Sequence, residues 1–388
     1  LHHQNQNMIK RSILLLSEVV VLTITLVLTI RCQVIECLLP PIPIFGKSSN
    51  IDKGFNILES ATKILPQGQV VKAAKESWKF IWQRMMTELA PQDQKGSYKR
   101  PSYSFNSRIG SKEFPDEAGR YHVYVGNPCP WCHRIRLAVA LRKLQPDQIG
   151  ITCLIDDPVK ASRGGWVFDT SSSGDNDPLG SNDLRELYEK LSPNYNGRCT
   201  APLLVDLKTK KIISNESSDI VRILNNAELD SKHPDAIDLY PENLAYIIDE
   251  TNQWVYELLN NGVYRCGFST KQSAYDEASA DVRKGLKKAD NILKEQPYLC
   301  GDKFTESDLR LIPTIIRFDG AYAALFRAGG AHLRVKDYPH ILAWLQRCWD
   351  IEGVSSTIDV NDAVSSYYRQ LFPLNPGGII PTPITLQD

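Results

Sequence analysis

Tyr121-His122-Val123-Tyr124-Val125-Gly126-Asn127-Pro128-Cys129-Pro130-Trp131-Cys132-His133-Arg134 decides how the chain reads. A short run of β-forming residues delivers Cys-Pro-Trp-Cys to the first turn of a helix. Backbone N–H groups there have no intrahelical partner, and the helix dipole places partial positive charge at that end. A cysteine so placed has a depressed pKa and is nucleophilic near neutral pH. Pro130 suits the first helical position, where a missing N–H costs nothing. Ile135, Leu137, Ala138, Val139, Leu141 and Leu144 then supply the apolar face.

A Cys-x-x-Cys pair is also half of a zinc site, or an inert pair. The other cysteines, Cys32, Cys37, Cys153, Cys199, Cys266, Cys300 and Cys348, form no second such pair, which weakens the zinc reading. A reactive thiol at Cys129 is the favoured expectation, with no metal. His133 and Arg134 either raise the local potential or lie on a solvated helix face, the latter being the ordinary expectation. His122, on the strand, reads as structural.

The sequence of 388 residues has room for two or three domains. Its 45 basic and 45 acidic residues balance, so nothing favours nucleic acid or another polyanion. Nine cysteines without a regular framework argue for a reducing compartment rather than a disulfide-stapled secreted fold.

The N-terminus is different. Lys10 and Arg11 precede Ile13–Ile30, in which 13 of 18 residues are Ile, Leu or Val, interrupted by Glu18. This fits a signal, an anchor or a removed leader. It is not rich in Arg or Ser, as a transit peptide should be. Leu1 precedes the first methionine, Met8, which fits an imprecise start. A membrane contact through this segment, a processed form, and a cytoplasmic or plastid location all stay open. Residues 1–50 are read as leader and 51–118 as an extension, with a Pro-, Gly- and Ser-rich linker over 38–53.

Val70, Ala74, Trp78, Trp82, Met85 and Leu89 recur at helical spacing. With Lys72, Lys75, Lys79 and Arg84 around them they describe either a membrane-surface helix or, the preferred reading, one packed on the main domain. Residues 92–118 read as polar coil.

A strand (121–125), helix (129–144) and strand (151–155) follow. Residues 158–198 form a loop-like insertion with a helical pattern only over 183–191. Ala201-Pro202-Leu203-Leu204-Val205-Asp206-Leu207 and Lys211-Ile212-Ile213-Ser214 read as a hairpin, and Glu216-Ser217 opens another helix. The order β-α-β-α-β-β-α is that of a thioredoxin-like domain, placed at 119–228. A proline facing such a Cys-x-x-Cys helix is often cis, here Pro202. The neighbouring backbone at Ala201 can then pair with an extended peptide. Glu216 and Ser217, at a helix N-terminus, suit a peptide's charged ends. Helical spacing over 243–260, 273–295, 308–318 and 341–349 predicts an all-helical domain at 229–350, then an extension over 351–388. Thr305-Glu306-Ser307-Asp308 is a capping box, a structural signal.

Cys-Pro-Trp, Ala201-Pro202 and Glu216-Ser217, in that order before a helical domain, resemble glutathione transferases. Asn261-Gly262-Val263-Tyr264-Arg265-Cys266-Gly267-Phe268, Ala274-Tyr275-Asp276-Glu277-Ala278, Arg317-Phe318-Asp319-Gly320-Ala321-Tyr322, Tyr367-Tyr368-Arg369 and Asn375-Pro376-Gly377-Gly378-Ile379 narrow the likeness. They resemble the omega-like Xi class, the glutathionyl-hydroquinone reductases, in a plant-type form. The resemblance covers residues 100–382. It implies an α/β plus all-α fold and a homodimer, with glutathione as co-substrate and glutathionylated quinols as substrates. It also implies a reaction in which Cys129 takes glutathione from the conjugate as a mixed disulfide. Tyr264, Tyr322 and Tyr367 map onto the quinone-side contacts; Trp166, Ala201, Pro202, Glu216 and Ser217 map onto the glutathione side.

The tyrosines have a plainer reading as core residues, and Trp166 as the anchor of its loop. The family's usual motif is Cys-Pro-Trp-Ala. Cys132 departs from it and resembles a dithiol glutaredoxin, with Cys132 either a resolving thiol or a small buried hydrophobe. Two further functions stay open: a glutaredoxin-like deglutathionylase working through both cysteines, and a non-catalytic carrier of aromatic ligands.

Overall fold

The computed structural model describes residues 66–162, 164–169 and 176–382. The apolar stretch at 13–30, the 38–53 linker and the residue 1–50 leader lie outside them. Contacts divide the chain into Leu1–Glu76 and Ser77–Asp388. Apart from the first turns of one helix, every named element belongs to the second unit.

That helix, α1 (Gln67–Leu89), stands where the spacing placed it. Its packing differs from the expectation. Met86 is the buried residue, while Trp78 is 56% exposed and Phe80 and Ile81 are exposed too. Trp82 is half-buried against the core, and its indole N–H donates to Pro373 O at 3.1 Å.

A five-stranded sheet in the order β3-β2-β1-β4-β5 forms the first layer. β1 (Tyr121–Gly126) is its centre, buried along its whole length, as a strand covered on both faces must be. It runs parallel to β2 (Ile149–Asp156), with Tyr121 beside Ile149 and Gly126 beside Leu154. It runs antiparallel to β4 (Leu203–Asp206), which pairs with β5 (Lys211–Ser214) through the expected hairpin. The short edge strand β3 (Trp166–Val167) pairs with β2 inside what reads in sequence as loop. Two residues are too few for an alternation pattern.

α2 (Pro130–Leu141) and α3 (Leu184–Leu191) run between these strands and α4 (Ser217–Asn226) follows β5; they are capped at their starts by Cys129, Asp183 and Glu216. α2 and α4 pack against each other. The peptide bond between Ala201 and Pro202 is cis.

The second layer is helical: α5 (Ala245–Trp254), α6 (Gly262–Phe268), α7 (Gln272–Glu295), α8 (Glu306–Arg317), α9 (Pro339–Trp349) and α10 (Val360–Gln370). Two wider, π-helical turns extend α5 (Val255–Asn260) and α8 (Phe318–Ala323). The capping box opens α8. Its Asp308 also accepts from the indole of Trp344 at 2.9 Å, tying α8 to α9 in the core. α8 lies against α2 and so brings the helical layer to the start of the Cys-x-x-Cys helix.

Candidate active site

Cys129 caps α2. Its Sγ accepts the Cys132 backbone N–H at 3.4 Å, and in its thiol form it donates to Ala201 O at 3.7 Å. Burial pushes the Cys129 thiol up. The Cys132 thiol, the N–H groups of Cys132 and Trp131 and the charge of Arg317 outweigh that and bring it down to about 7. Cys132 is fully buried, and its own thiol is pushed well above the usual range, first by burial and then by bonding to Cys129. The pair divides its labour: Cys129 carries the negative charge, and Cys132 stays protonated and donates to it.

His133 and Arg134 are not on a solvated face. Both are buried, because α8 and the end of the π-helical turn after α5 cover this side of α2. His133 Nε2 bonds Thr357 Oγ1 at 2.8 Å, and its Nδ1 faces Arg317 at 3.1 Å. Burial, then the Arg317 charge, holds this imidazole well below its usual range, so it is neutral. Arg134 donates to Asn260 Oδ1 at 2.6 Å and Ser217 Oγ at 3.3 Å. His122 bonds Thr152 at 2.9 Å inside the sheet domain, away from this chemistry.

Arg317, which in sequence is only one residue of a family-like motif, is fully buried. It donates to Pro128 O and Asn127 O, both at 3.2 Å, and to Pro313 O at 3.1 Å. No carboxylate pairs with it among the described residues. A buried cation is costly unless compensated, and the Arg317 charge acts on Cys129, whose thiolate form it favours. Its position at the end of a helix carried no sign of this, since two of its partners are main-chain carbonyls 189 and 190 residues away.

A cleft of about 410 Å3 opens over Cys129, with Trp131, Trp166, Tyr264, Phe268 and Tyr367 among its walls. Trp166 reaches it because Gly126 has no side chain: a Cβ there would lie 2.2 Å from the indole ring. Tyr322 is buried behind this wall. Its hydroxyl lies 2.8 Å from that of Tyr367 and 3.4 Å from that of Tyr264, and the Tyr264 and Tyr367 hydroxyls are 2.8 Å apart. Burial, the largest cause in each case, pushes all three phenols up, so they are neutral donors.

Ala201 meets the sulfur through its carbonyl. Pro202, Glu216 and Ser217 are not among the cleft's lining residues. Glu216 caps α4, accepting Ser218 N at 3.0 Å. Ser217 is buried beside it and linked through Arg134 to the start of α2. Among the described residues no group of three or more His, Cys, Asp or Glu side chains is arranged to hold a metal.

Residues 128–227 match the family described as glutathione S-transferase, N-terminal domain, and residues 272–347 match glutathione S-transferase, C-terminal domain. The chain is 39% identical over 296 residues to glutathionyl-hydroquinone reductase YqjG of Escherichia coli K12, covering 74% of this chain and 88% of that protein. The glutathione-bound structure of YqjG superposes with a TM-score of 0.67 at 35% identity, covering 73% of this chain and 94% of that one. Glutathionyl-hydroquinone reductase PcpF of Sphingobium chlorophenolicum is 39% identical over 271 residues, 69% of this chain and 84% of PcpF. The Xi glutathione transferase of Phanerochaete chrysosporium superposes with a TM-score of 0.68 at 36% identity, over 74% of this chain and 98% of that one. A thioredoxin-like sheet domain with a capping cysteine, a helical domain that closes over it, and relatives matched over most of their length place this chain in the Xi-class glutathione transferase family of glutathionyl-hydroquinone reductases.

Proposed function

We propose that the chain removes glutathione from glutathionyl-hydroquinones through a mixed disulfide on Cys129. The observation that carries this is a half-buried sulfur with its pKa lowered to about 7, at the floor of an aromatic cleft. The thiolate attacks the glutathione sulfur of the conjugate. An S–S bond forms and the S–C bond breaks. The electron pair stays with the ring carbon, which takes a proton and leaves as hydroquinone. A second glutathione thiolate attacks the mixed disulfide, releasing oxidised glutathione and restoring Cys129. Tyr264 and Tyr367 line the space for the ring, and their hydroxyls are placed to donate to its oxygens, with Tyr322 bonded behind them.

Glutathione spans from the sulfur past the Ala201–Pro202 backbone toward Glu216 and Ser217, with Trp166 as one wall. Cys132 fits a buried donor better than a resolving thiol. A glutaredoxin-like cycle would need it to lose its proton where burial most opposes that.

The test is turnover of a glutathionyl-menadiol conjugate by the native chain and by Cys129→Ala, with intact-mass detection of a glutathione adduct. We expect activity and adduct in the first and neither in the second. Activity surviving Cys129→Ala overturns the reading. Conjugation of a chloro-dinitrobenzene substrate should be weak, because a cysteine in this position captures glutathione as a disulfide instead of presenting it as a free thiolate.

A further inference from the structure

We propose that Arg100 is a carboxylate-binding residue that takes the α-carboxylate at the γ-glutamyl end of glutathione; this rests on the glutathione-dependent function proposed for the same cleft. Arg100 comes from the polar coil before the sheet domain, where nothing in the sequence pattern marks it. In the structure it lines the cleft over Cys129. Its guanidinium lies 3.9 Å from the ring centre of Trp131, and Arg134 lies 4.4 Å from the same ring. Its Nε and one terminal nitrogen donate to the Tyr103 hydroxyl at 2.9 and 2.6 Å. No carboxylate pairs with it among the described residues, although it is half-buried. A guanidinium has five donors in a planar fork suited to a carboxylate. Here Nε and one terminal nitrogen bond Tyr103, and the residue lines the cleft.

The segment that carries Arg100 is fixed at both ends. Lys99 N donates to Pro91 O at 2.8 Å, and Ser107 N donates to Ile213 O at 3.0 Å, with Asn106 bridged to Ser214 on the edge of β5. The arginine is therefore positioned before ligand arrives, which lowers the entropy cost of binding.

Charge identifies which carboxylate it meets. Glutathione has two, one on glycine and one beside the α-ammonium of the γ-glutamyl residue. The Glu216 carboxylate acts on Tyr103, Tyr256 and Arg134, the neighbours of Arg100 and of Trp131. Arg134 also reaches Ser217. Arg100 thus belongs to the α4 end of the site. An acid and a base at one end match the zwitterionic α-amino acid group: Glu216 takes the ammonium and Arg100 takes the carboxylate. The glycine carboxylate has no ammonium beside it and would leave Glu216 unmatched.

The test is direct binding of glutathione, of its analogue with the γ-glutamyl α-carboxylate converted to a carboxamide, and of γ-glutamylcysteine, which lacks glycine, to the full chain. The native protein should bind glutathione about tenfold or more tightly than the carboxamide, the range of one charge-assisted pair. Arg100→Gln should abolish that discrimination, Arg100→Lys should keep part of it, and γ-glutamylcysteine should suffer the same Arg100→Gln loss as glutathione. Equal binding of acid and carboxamide by the native protein overturns the assignment without any variant. So does an Arg100→Gln loss that vanishes with γ-glutamylcysteine, which would assign Arg100 to the glycine end. Normal reductase turnover with no acid–amide discrimination removes Arg100 alone. Discrimination without any reductase turnover removes the reductase reading and leaves Arg100 in place.

Discussion

At Cys129 opposing effects of burial and hydrogen bonding set the chemistry. Burial alone would keep the sulfur protonated; one thiol, two backbone N–H groups and one guanidinium reverse that. The sequence made the helix N-terminus legible, because Cys-Pro at a helix start has a mechanism that needs no tertiary contact. It left Cys132 open between a resolving thiol and a packing residue, and marked no role for Arg317. Both depend on what α8 and α2 bring against each other. Cys132→Ala removes the side-chain donor, and Arg317→Met removes the compensating charge. Each should raise the Cys129 pKa above about 7, so the rise of kcat/KM with pH, which follows the thiolate, should move to higher pH. Cys132→Ser, which keeps a donor, and Arg317→Lys, which keeps the charge, should restore most of the native profile. The measurement is the ultraviolet absorbance of the thiolate as pH is raised; an unmoved titration in both Cys132→Ala and Arg317→Met would show that the helix terminus suffices by itself.

Among the elements, the strands and long helices follow their apolar periods, while the parts that shape the cleft do not. β3 is two residues long, and the turns at 255–260 and 318–323 are π-helical. A 3.6-residue period cannot register a turn with an extra residue, so periodicity could place Tyr322 near the end of a helix but not beside Tyr264 and Tyr367, which only the family resemblance grouped. By local pattern Trp166 likewise reads as a loop residue, and only the resemblance put it near glutathione; the structure shows Gly126 beneath its ring. Gly126→Ala would put a Cβ 2.2 Å from that ring, and the indole must move. The expected outcome is a several-fold rise in the KM for glutathione with an unchanged Cys129 titration; an unaltered KM would mean that Trp166 is not a glutathione wall. Tyr264→Phe, Tyr322→Phe and Tyr367→Phe each delete one member of the hydroxyl cluster. Each hydrogen bond contributes about 0.5–1.5 kcal/mol, more where charge develops. Turnover of the conjugate should fall several-fold while glutathione affinity stays near native; equal losses in both would assign the tyrosines to general packing.

Over the whole molecule, the site works only if the sheet layer and the helical layer hold one geometry; they share one hydrophobic core, and hydrogen bonds also cross their joint. Arg317 of α8 grips the turn before Cys129, and Asn260 holds Arg134 of α2. At the other side of the cleft, Asp156 at the end of β2 accepts Ser366 and Gln370 of α10, the latter at 3.1 Å, while its own carbonyl accepts Gln370 at 2.8 Å. Asn127 donates to Asp362 at 2.8 Å and thereby ties the same helix to the residue two before the nucleophile. The matched family domains end at residue 347, so α10 lies beyond them. It nevertheless supplies Tyr367 to the wall. Asp156 is hydrogen-bonded to neither the sulfur nor a tyrosine hydroxyl, so its effect on catalysis should pass through the placement of α10. Asp156→Ala should therefore lower turnover of the conjugate without shifting the Cys129 titration, and should speed proteolytic cleavage within 360–370. If positioning of Tyr367 is the route, Asp156→Ala combined with Tyr367→Phe should cost little more than Tyr367→Phe alone, since residues acting as a unit are not additive. Fully additive losses would mean that Asp156 acts on the cleft by another path, as one of its lining residues, and that α10 keeps its place without this clamp.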